Sequence, residues 1–570
     1  SGTGLTVPNS KTFEANNFTI SGPLNIGANS VAINDNLNFT GTGAVSGAGT
    51  ILINPRTGVN SAFSYFNASF TPTLKFASGT SVVTGNSNLI GGPLVVDAGA
   101  TLALNFSNLT ANNDVTVNGR ITTTGSSSAT STFYFNGTTL TNNGEISNVA
   151  GQDFFFGLNA DTVPRSQSIV GTGSWSPSFL DIGGGQGGAA TVTLMNDMTF
   201  SGGSLRTGGS STLNIGTTTL THAGNSLSGQ ILGTGTIRIQ PLSGATTVSG
   251  NLPSVKIVSG TATLNGGSIS GPFNVDAGAT ATLGGNLTAR GDVTIDGVLN
   301  RTGSSQYVNA TGNSTVMNNG SISADMYFGP FSGTTNVVQN LGGAGTWTPT
   351  YLSFLSRSAV TLVGDVNYAG TNLVVESPGI RVNTGAFTFS FPCTTVWQNA
   401  GEIFGNIRRT NLAACPGSTI TFGNPFTTIR FTSGTPPTDI KVDTSSVAPV
   451  GFPNAVRRSY QITPTGGSGY TATLRLRYLD PELNGNSEST LQLWRNNGTA
   501  WTAQGATSRD SANNWVEYAG VTAFSPWAIS GLAPTAAEIS ISGRVTTADG
   551  SAIRNVRVSL TDQSGNVRSA

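Results

Sequence analysis

Along most of the chain, apolar positions alternate with Thr, Ser and Asn in short runs such as VTVNGRI and ATATLGGNL, and each run closes on a Gly or Asn turn. Period-two alternation puts one side of a strand in a core and the other in water. No stretch sustains apolar residues at i, i+3 and i+4, so no helix is expected. The turns recur as well. Gly119, Gly144 and Gly173 stand in VNGRI, NNGEIS and GTGSW, at spacings of 25 and 29. Gly297, Gly320 and Gly345 stand in IDGVL, NNGSIS and GAGTW, at spacings of 23 and 25, and Gly401 in NAGEIF continues the beat. A beat of about 20–50 residues marks a solenoid or array. Strand and turn at this period describe one coil of a parallel β-helix, which cannot bury its own apolar face until a neighbour stacks on it.

A longer repeat lies over the short one. GGPLVVDAGATLAL begins at Gly91 and SGPFNVDAGATATL at Ser270, which places Asp276 179 positions after Asp97. Trp175 in GTGSWSPSFL recurs as Trp347 in GAGTWTPTYL, and Asp197 in VTLMNDMTF as Asp365 in VTLVGDVNY. The order is kept while the offset drifts, as loop deletions allow. About 180 residues are therefore present twice in tandem, from near residue 30 to near residue 390.

From residue 401 the character changes. Twelve cations occupy the first 400 residues and fourteen the last 170. Longer separate strands appear, such as YTATLRLRYL and STLQLWRN, along with Trp494, Trp501, Trp515 and Trp527. Short strands at close spacing with Gly and Asn turns predict an antiparallel sandwich. The chain is thus read as all-β: a parallel β-helix over 1–400, a cap or junction over 401–415, a β-sandwich module over 416–532, and a linker with an incomplete sandwich over 533–570.

Charge narrows the function. Charged residues make up 9% of the chain and the net charge is +0. No basic field exists to gather nucleic acid or anionic lipid, so neither is expected as a partner. No run of 18 apolar residues occurs, so no membrane span is expected. The opening SGTGLTVPNS lacks Met and reads as a processed or trimmed start. A neutral surface of hydroxyls and amides suits a secreted protein. Cys393 and Cys415 are the two cysteines, and in that setting they read as a disulfide closing a local loop or, alternatively, as two buried free thiols.

The segments NNGEIS, GTGSW, VDAGATATL and GAGTI resemble the β-helical stalks of secreted bacterial surface proteins, of the autotransporter-passenger and haemagglutinin-like kind. The resemblance covers roughly 1–400 and implies right-handed coiling and a cell-surface or extracellular location. The final segment, with SGRV at Ser542–Val545, DG at Asp549–Gly550 and VRVSLTD at Val556–Asp562, resembles the opening of a carboxypeptidase-regulatory-like β-sandwich. That family continues with further strands, and about 30 residues cannot bury a sandwich core alone. Either the native chain goes on, or a neighbouring subunit completes the fold by strand addition. The residues that would carry such a joint are Ile539, Ile541, Val545, Val556, Val558 and Leu560.

Candidate chemistry is sparse. His222 is the one histidine, and alone beside an apolar run it reads as structural or exposed. No GxSxG, HExxH or phosphate-loop pattern occurs. Asp97 and Asp276 recur, and a repeated Asp at a turn is read as bonding its own backbone. The stretch DPELNGNSE places oxygen side chains at Asp480, Glu482, Asn484, Asn486 and Glu488, which resembles the start of a calcium loop. Leu491 stands where that loop needs a bidentate Glu, and a polar hairpin is the competing reading. The expectation is an extracellular structural protein without enzymatic activity: a subunit of a surface fibre or adhesive stalk, self-assembling through its C-terminal strands, with calcium as the one possible cofactor. The alternative is a carbohydrate-active or glycan-binding protein on a β-helix scaffold, marked by an acidic groove or an aromatic-lined cleft.

Overall fold

The structure is a computed structural model that describes residues 5–6, 12–39, 44–55, 61–64, 70–84, 88–124, 130–149, 153–158, 163–183, 189–534, 546–551, 553, 559–561 and 567–569. The chain is nearly all β, and its larger part is a parallel β-solenoid of about 17 turns. Each early coil contributes three strands to three faces. Leu94–Val96 pairs in parallel with Val115–Val117, Ala100–Leu104 with Arg120–Thr123, and Asn108–Ala111 with Thr130–Phe135. Inward positions alternate with outward ones as the sequence pattern requires, and the inward Val, Leu, Ile and Phe form one continuous core.

Further along, two faces are run by one strand that bends at the corner. Ser226–Leu232, Ala245–Leu252, Thr261–Ile269 and Thr280–Ala289 stack in this way. The corner is built from glycines with left-handed backbones, Gly229, Gly250 and Gly267, at φ of 114°, 112° and 119°. A Cβ at Gly250 would lie 2.0 Å from the Gly229 carbonyl oxygen, and one at Gly267 equally close to that of Gly250. Only glycine meets both demands, the positive φ and the close approach.

The glycine beat has a different cause. Gly144 and Gly320 do not need a left-handed backbone, but a Cβ on either would meet the carbonyl oxygen of the preceding beat glycine, Gly119 or Gly297, at 2.0 Å. That carbonyl accepts the next strand's first N–H, from Glu145 or Ser321, at 2.9 Å. The beat is a column of backbone stacked too closely for any side chain.

The strand Glu402–Thr410 joins the two parts of the molecule. On one side it pairs in parallel with Arg381–Pro392, as a further coil, and on the other antiparallel with Asp439–Ser445. The junction expected at 401–415 therefore begins with a full solenoid strand. The sheet continues antiparallel through Ser459–Thr465, Pro526–Ser530, Gln492–Asn496 and Trp501–Gly505. A second antiparallel sheet holds Thr419–Thr421, Thr428–Thr435, Ser468–Arg477, Trp515–Val521 and Ser508–Asp510. Apolar residues of both sheets, among them Val442, Leu474, Val516 and Trp527, belong to the same buried core as the solenoid. Of the proposed C-terminal joint, Ile539, Ile541, Val545, Val556 and Val558 lie outside the described residues. Leu560 lies in Ser559–Thr561, which pairs antiparallel with Val567–Ser569.

Candidate functional site

The carboxylates of the solenoid link its coils. Asp97 pairs with Lys75, Glu145 with Arg120, Asp181 with Arg206, Asp276 with Lys256 and Asp325 with Arg301. Asp114, Asp197, Asp292 and Asp365 accept the backbone N–H of Thr139, Thr219, Thr315 and Thr388 at 2.8 Å. Asp296 accepts from Asn319 Nδ2, and Glu376 from Ser356 N–H. In each case the partner lies 20–25 positions away, which is one coil. These are all the acidic side chains of 1–400 that the structure describes. The reading of Asp97 and Asp276 is corrected in part. Their main-chain carbonyls close the expected turn onto Ala100 and Ala279, but their carboxylates reach a lysine on the coil before, which turn chemistry alone does not disclose.

His222 is fully buried. It continues an inward column, Trp175, Phe200, His222, Ile239, set by parallel register. Its ring stacks on Phe200 at 5.4 Å and 7°. Neither ring nitrogen has a hydrogen-bond partner among the described residues. Burial lowers its pKa to about 4, so it is a neutral core residue.

The five oxygens of 480–488 are not brought together. Two short 3-10 turns, Asp480–Glu482 and Glu488–Thr490, interrupt the stretch. Asp480 accepts from Asn514 at 2.6 Å, and Glu488 from the Tyr478 hydroxyl at 2.7 Å. Asn484 donates to the carbonyls of Pro453 and Ala455. Asn486 donates to Asn454 and accepts from Gly531 N–H and Ser530 Oγ. Glu482 turns inward to Arg458. Among the described residues, no group of three or more His, Cys, Asp or Glu is placed to hold a metal ion. The alternating oxygens suit a calcium loop only if the backbone curls around a centre, and here it runs in two tight turns along the module.

Glu482 leads to a cluster that the sequence reading missed. Arg458 Nη1 lies 2.5 Å from Glu402 Oε1, and Arg458 Nε lies 2.8 Å from Glu482 Oε2. Arg381 reaches Glu402 from the preceding coil at 3.1 Å and lies 4.1 Å over the Phe404 ring. Burial pushes the Glu402 carboxyl up, but the charge and hydrogen bond of Arg458, with Arg381 behind, bring it below its ordinary value. Glu402 stands in NAGEIF at the place Glu145 holds in NNGEIS, where the latter makes a half-exposed pair with Arg120. The motif was visible; its burial under a second sheet was not.

Cys393 and Cys415 form a disulfide, with Cα atoms 6.2 Å apart. Beside it, buried Arg409 donates to the Cys393 and Thr395 carbonyls and lies 4.3 Å over the Phe391 ring. Grooves line two corners of the solenoid. One, of about 480 Å³, is bordered by Ser176, Ser201, Ser204, Asn225 and Leu242, and another, of about 310 Å³, by Thr346, Asn367, Tyr368, Ser390 and Phe391. Elsewhere, three rings gather on an outward face. Tyr307, Tyr327 and Phe331 lie with centroids 4.9–5.5 Å apart. No helix among the described residues is long and apolar enough to cross a membrane.

No protein-family model, curated protein or solved structure matches the chain. What the fold itself defines is a β-solenoid continued by antiparallel sheets.

Proposed function

We propose that the chain is an extracellular structural protein: a stiff stalk carrying a terminal module, serving in a surface fibre or adhesive stalk. The observation that supports this best is the use of the solenoid's carboxylates. Each described one bonds to an adjacent coil, before or after its own, so the acidic groups reinforce stacking, whereas glycoside chemistry draws on paired carboxylates set apart for a substrate. One core shared by solenoid and module supports a rod without a hinge at the junction. The Cys393–Cys415 disulfide fits an oxidising compartment. In this reading the C-terminal segment from Ile539 to Leu560 joins subunits by strand addition, and a head-to-tail contact of that kind grows an open fibre.

Negative-stain electron microscopy tests the proposal. About 17 coils at the ~4.8 Å strand spacing give a rod of about 80 Å before the terminal module. The full chain is expected as such rods joined end to end, and a chain ending at Gly531 as single rods. Compact particles from the full chain would remove the stalk reading, and unchanged fibres after truncation would remove the C-terminal joint.

A further inference from the structure

The strands Tyr307–Ala310, Asp325–Phe328 and Tyr351–Phe354 stack as consecutive coils on one face. Their inward residues Val308, Ala310, Met326, Phe328, Leu352 and Phe354 are wholly buried. Alternation therefore turns Tyr307, Asn309, Tyr327 and Tyr351 outward. Outward positions of this solenoid are mostly Thr, Ser and Asn, as in VTI and FNV, so tyrosines here serve no need of the core. Phe331, from the loop after the middle strand, completes the group. Its ring meets Tyr307 at 5.5 Å and Tyr327 at 5.2 Å while the residue stays 55% exposed.

The border of this group is rigid. The Arg301 guanidinium binds Asp325 at 2.5 Å and Thr350 Oγ1 at 2.6 Å, spanning two further coils, with only 13% of its side chain exposed. Asp325 also accepts Tyr351 N–H. Within the group one polar need is left open. Asn309 stands beside Tyr327 in the strand register and is 4% exposed, and its Oδ1 has no donor among the described residues. A buried acceptor without a donor is costly, so a shift of the covering rings that lets a ligand hydroxyl donate to it is favoured.

We infer that Tyr307, Tyr327 and Phe331, with Asn309 beside them, form a binding site for a saccharide. A sugar ring offers a C–H face that lies on aromatic rings and hydroxyls that donate as well as accept. An anion brings acceptors alone, which neither Asn309 Oδ1 nor the already paired Arg301 calls for. The proposal is independent of the stalk reading, which rests on shape, so the two fail separately.

An array of immobilised neutral, acidic and N-acetylated glycans, probed with the full chain, tests it. At least one glycan is expected to bind, with affinity falling about tenfold or more, a loss of ~1.4 kcal/mol, in both Phe331→Ala and Tyr327→Ala. Phe331→Trp is expected to retain binding. Phe387→Ala, at another partly exposed phenylalanine, is expected to leave it unchanged. Phe331 is exposed enough that its removal spares the fold, and an unchanged melt checks this. Absence of binding across the array, or binding indifferent to Phe331→Ala, overturns the proposal.

Discussion

Arg458 and Glu402 form a buried ion pair, 2.5 Å between Nη1 and Oε1, that ties the terminal module to the last solenoid strand across 56 positions of sequence. Arg458 also holds Glu482, so one cation serves two carboxylates. Replacing it as Arg458→Met removes the ion pair from Glu482 and leaves Glu402 with Arg381 alone, and breaking a buried pair this way costs about 3–5 kcal/mol. The double variant Arg458→Met/Glu402→Gln is expected to recover part of that loss. Urea unfolding of the three proteins measures it. Equal stability of Arg458→Met and the parent would show that the pair does not fasten the junction.

His222 sets a pH dependence. Its folded pKa of about 4 lies below the ordinary 6.5, so between these values the unfolded chain binds a proton that the folded chain does not. The contribution of His222 to stability is then constant above about pH 7 and falls as pH drops from 6.5 toward 4, by about 3 kcal/mol in all. His222→Phe is expected to flatten that slope. The second copy shows that the space suits a phenylalanine: Phe391, one residue beyond the Asn367–Ser390 pair, takes the corresponding place after Trp347 and Tyr368. Thermal melts across pH 4–8 compare the two proteins, and parallel curves would rule out His222 as the source.

Gly320→Ala is expected to cost about 1–3 kcal/mol or more, because its Cβ meets backbone that cannot turn away. A Cβ at Gly379 meets nothing within 4 Å, and no positive φ is required there. Gly379→Ala should therefore leave the melt unchanged. Similar melts for the two would mean that the beat reflects turn chemistry and not close stacking.

The disulfide closes a loop of 22 positions at the solenoid's end. Removing it as Cys393→Ser/Cys415→Ser is expected to cost about 3 kcal/mol, read as a lower melting temperature that reductant also produces in the parent and does not lower further in the variant.

Chelator is expected to leave the melt unchanged, since the oxygens of Asp480, Glu482, Asn484, Asn486 and Glu488 accept from separate protein partners, Asn514, Arg458, Arg457, Gly531 and Tyr478. A rise in melting temperature with millimolar calcium, abolished by Glu488→Gln, would restore the loop as a metal site.

Much of this was legible in the alternation of residues, because a strand's inward and outward positions are a local property. The parallel coil, the continuous core and the change of character after residue 400 all follow from pattern alone. The Cys393–Cys415 pairing was one of two open readings, since sequence does not measure a distance. The Arg458–Glu402–Glu482 cluster, and the gathering of Tyr307, Tyr327 and Phe331, were not legible. Their members are far apart in the chain, and each has an ordinary local context.

The sequence by itself determined what each coil is: which residues enter the bore, where the backbone needs glycine, and that the unit of about 180 residues occurs twice. Only the tertiary structure decided which way each copy faces. Leu94–Val96 stacks through Val115–Val117 and Thr139–Asn142 to the end of Ser226–Leu232. Its counterpart Phe273–Val275 lies on a different face, the one that runs back through Thr219–His222 and Ser174–Ser176 to Ala100–Leu104. The second copy is therefore turned by one face of the three. Every face is made by the same parallel pairing and the same alternation, so a strand's own residues are indifferent to which face they occupy. That choice depends on the summed lengths of all the coils between the copies, a quantity no local pattern contains.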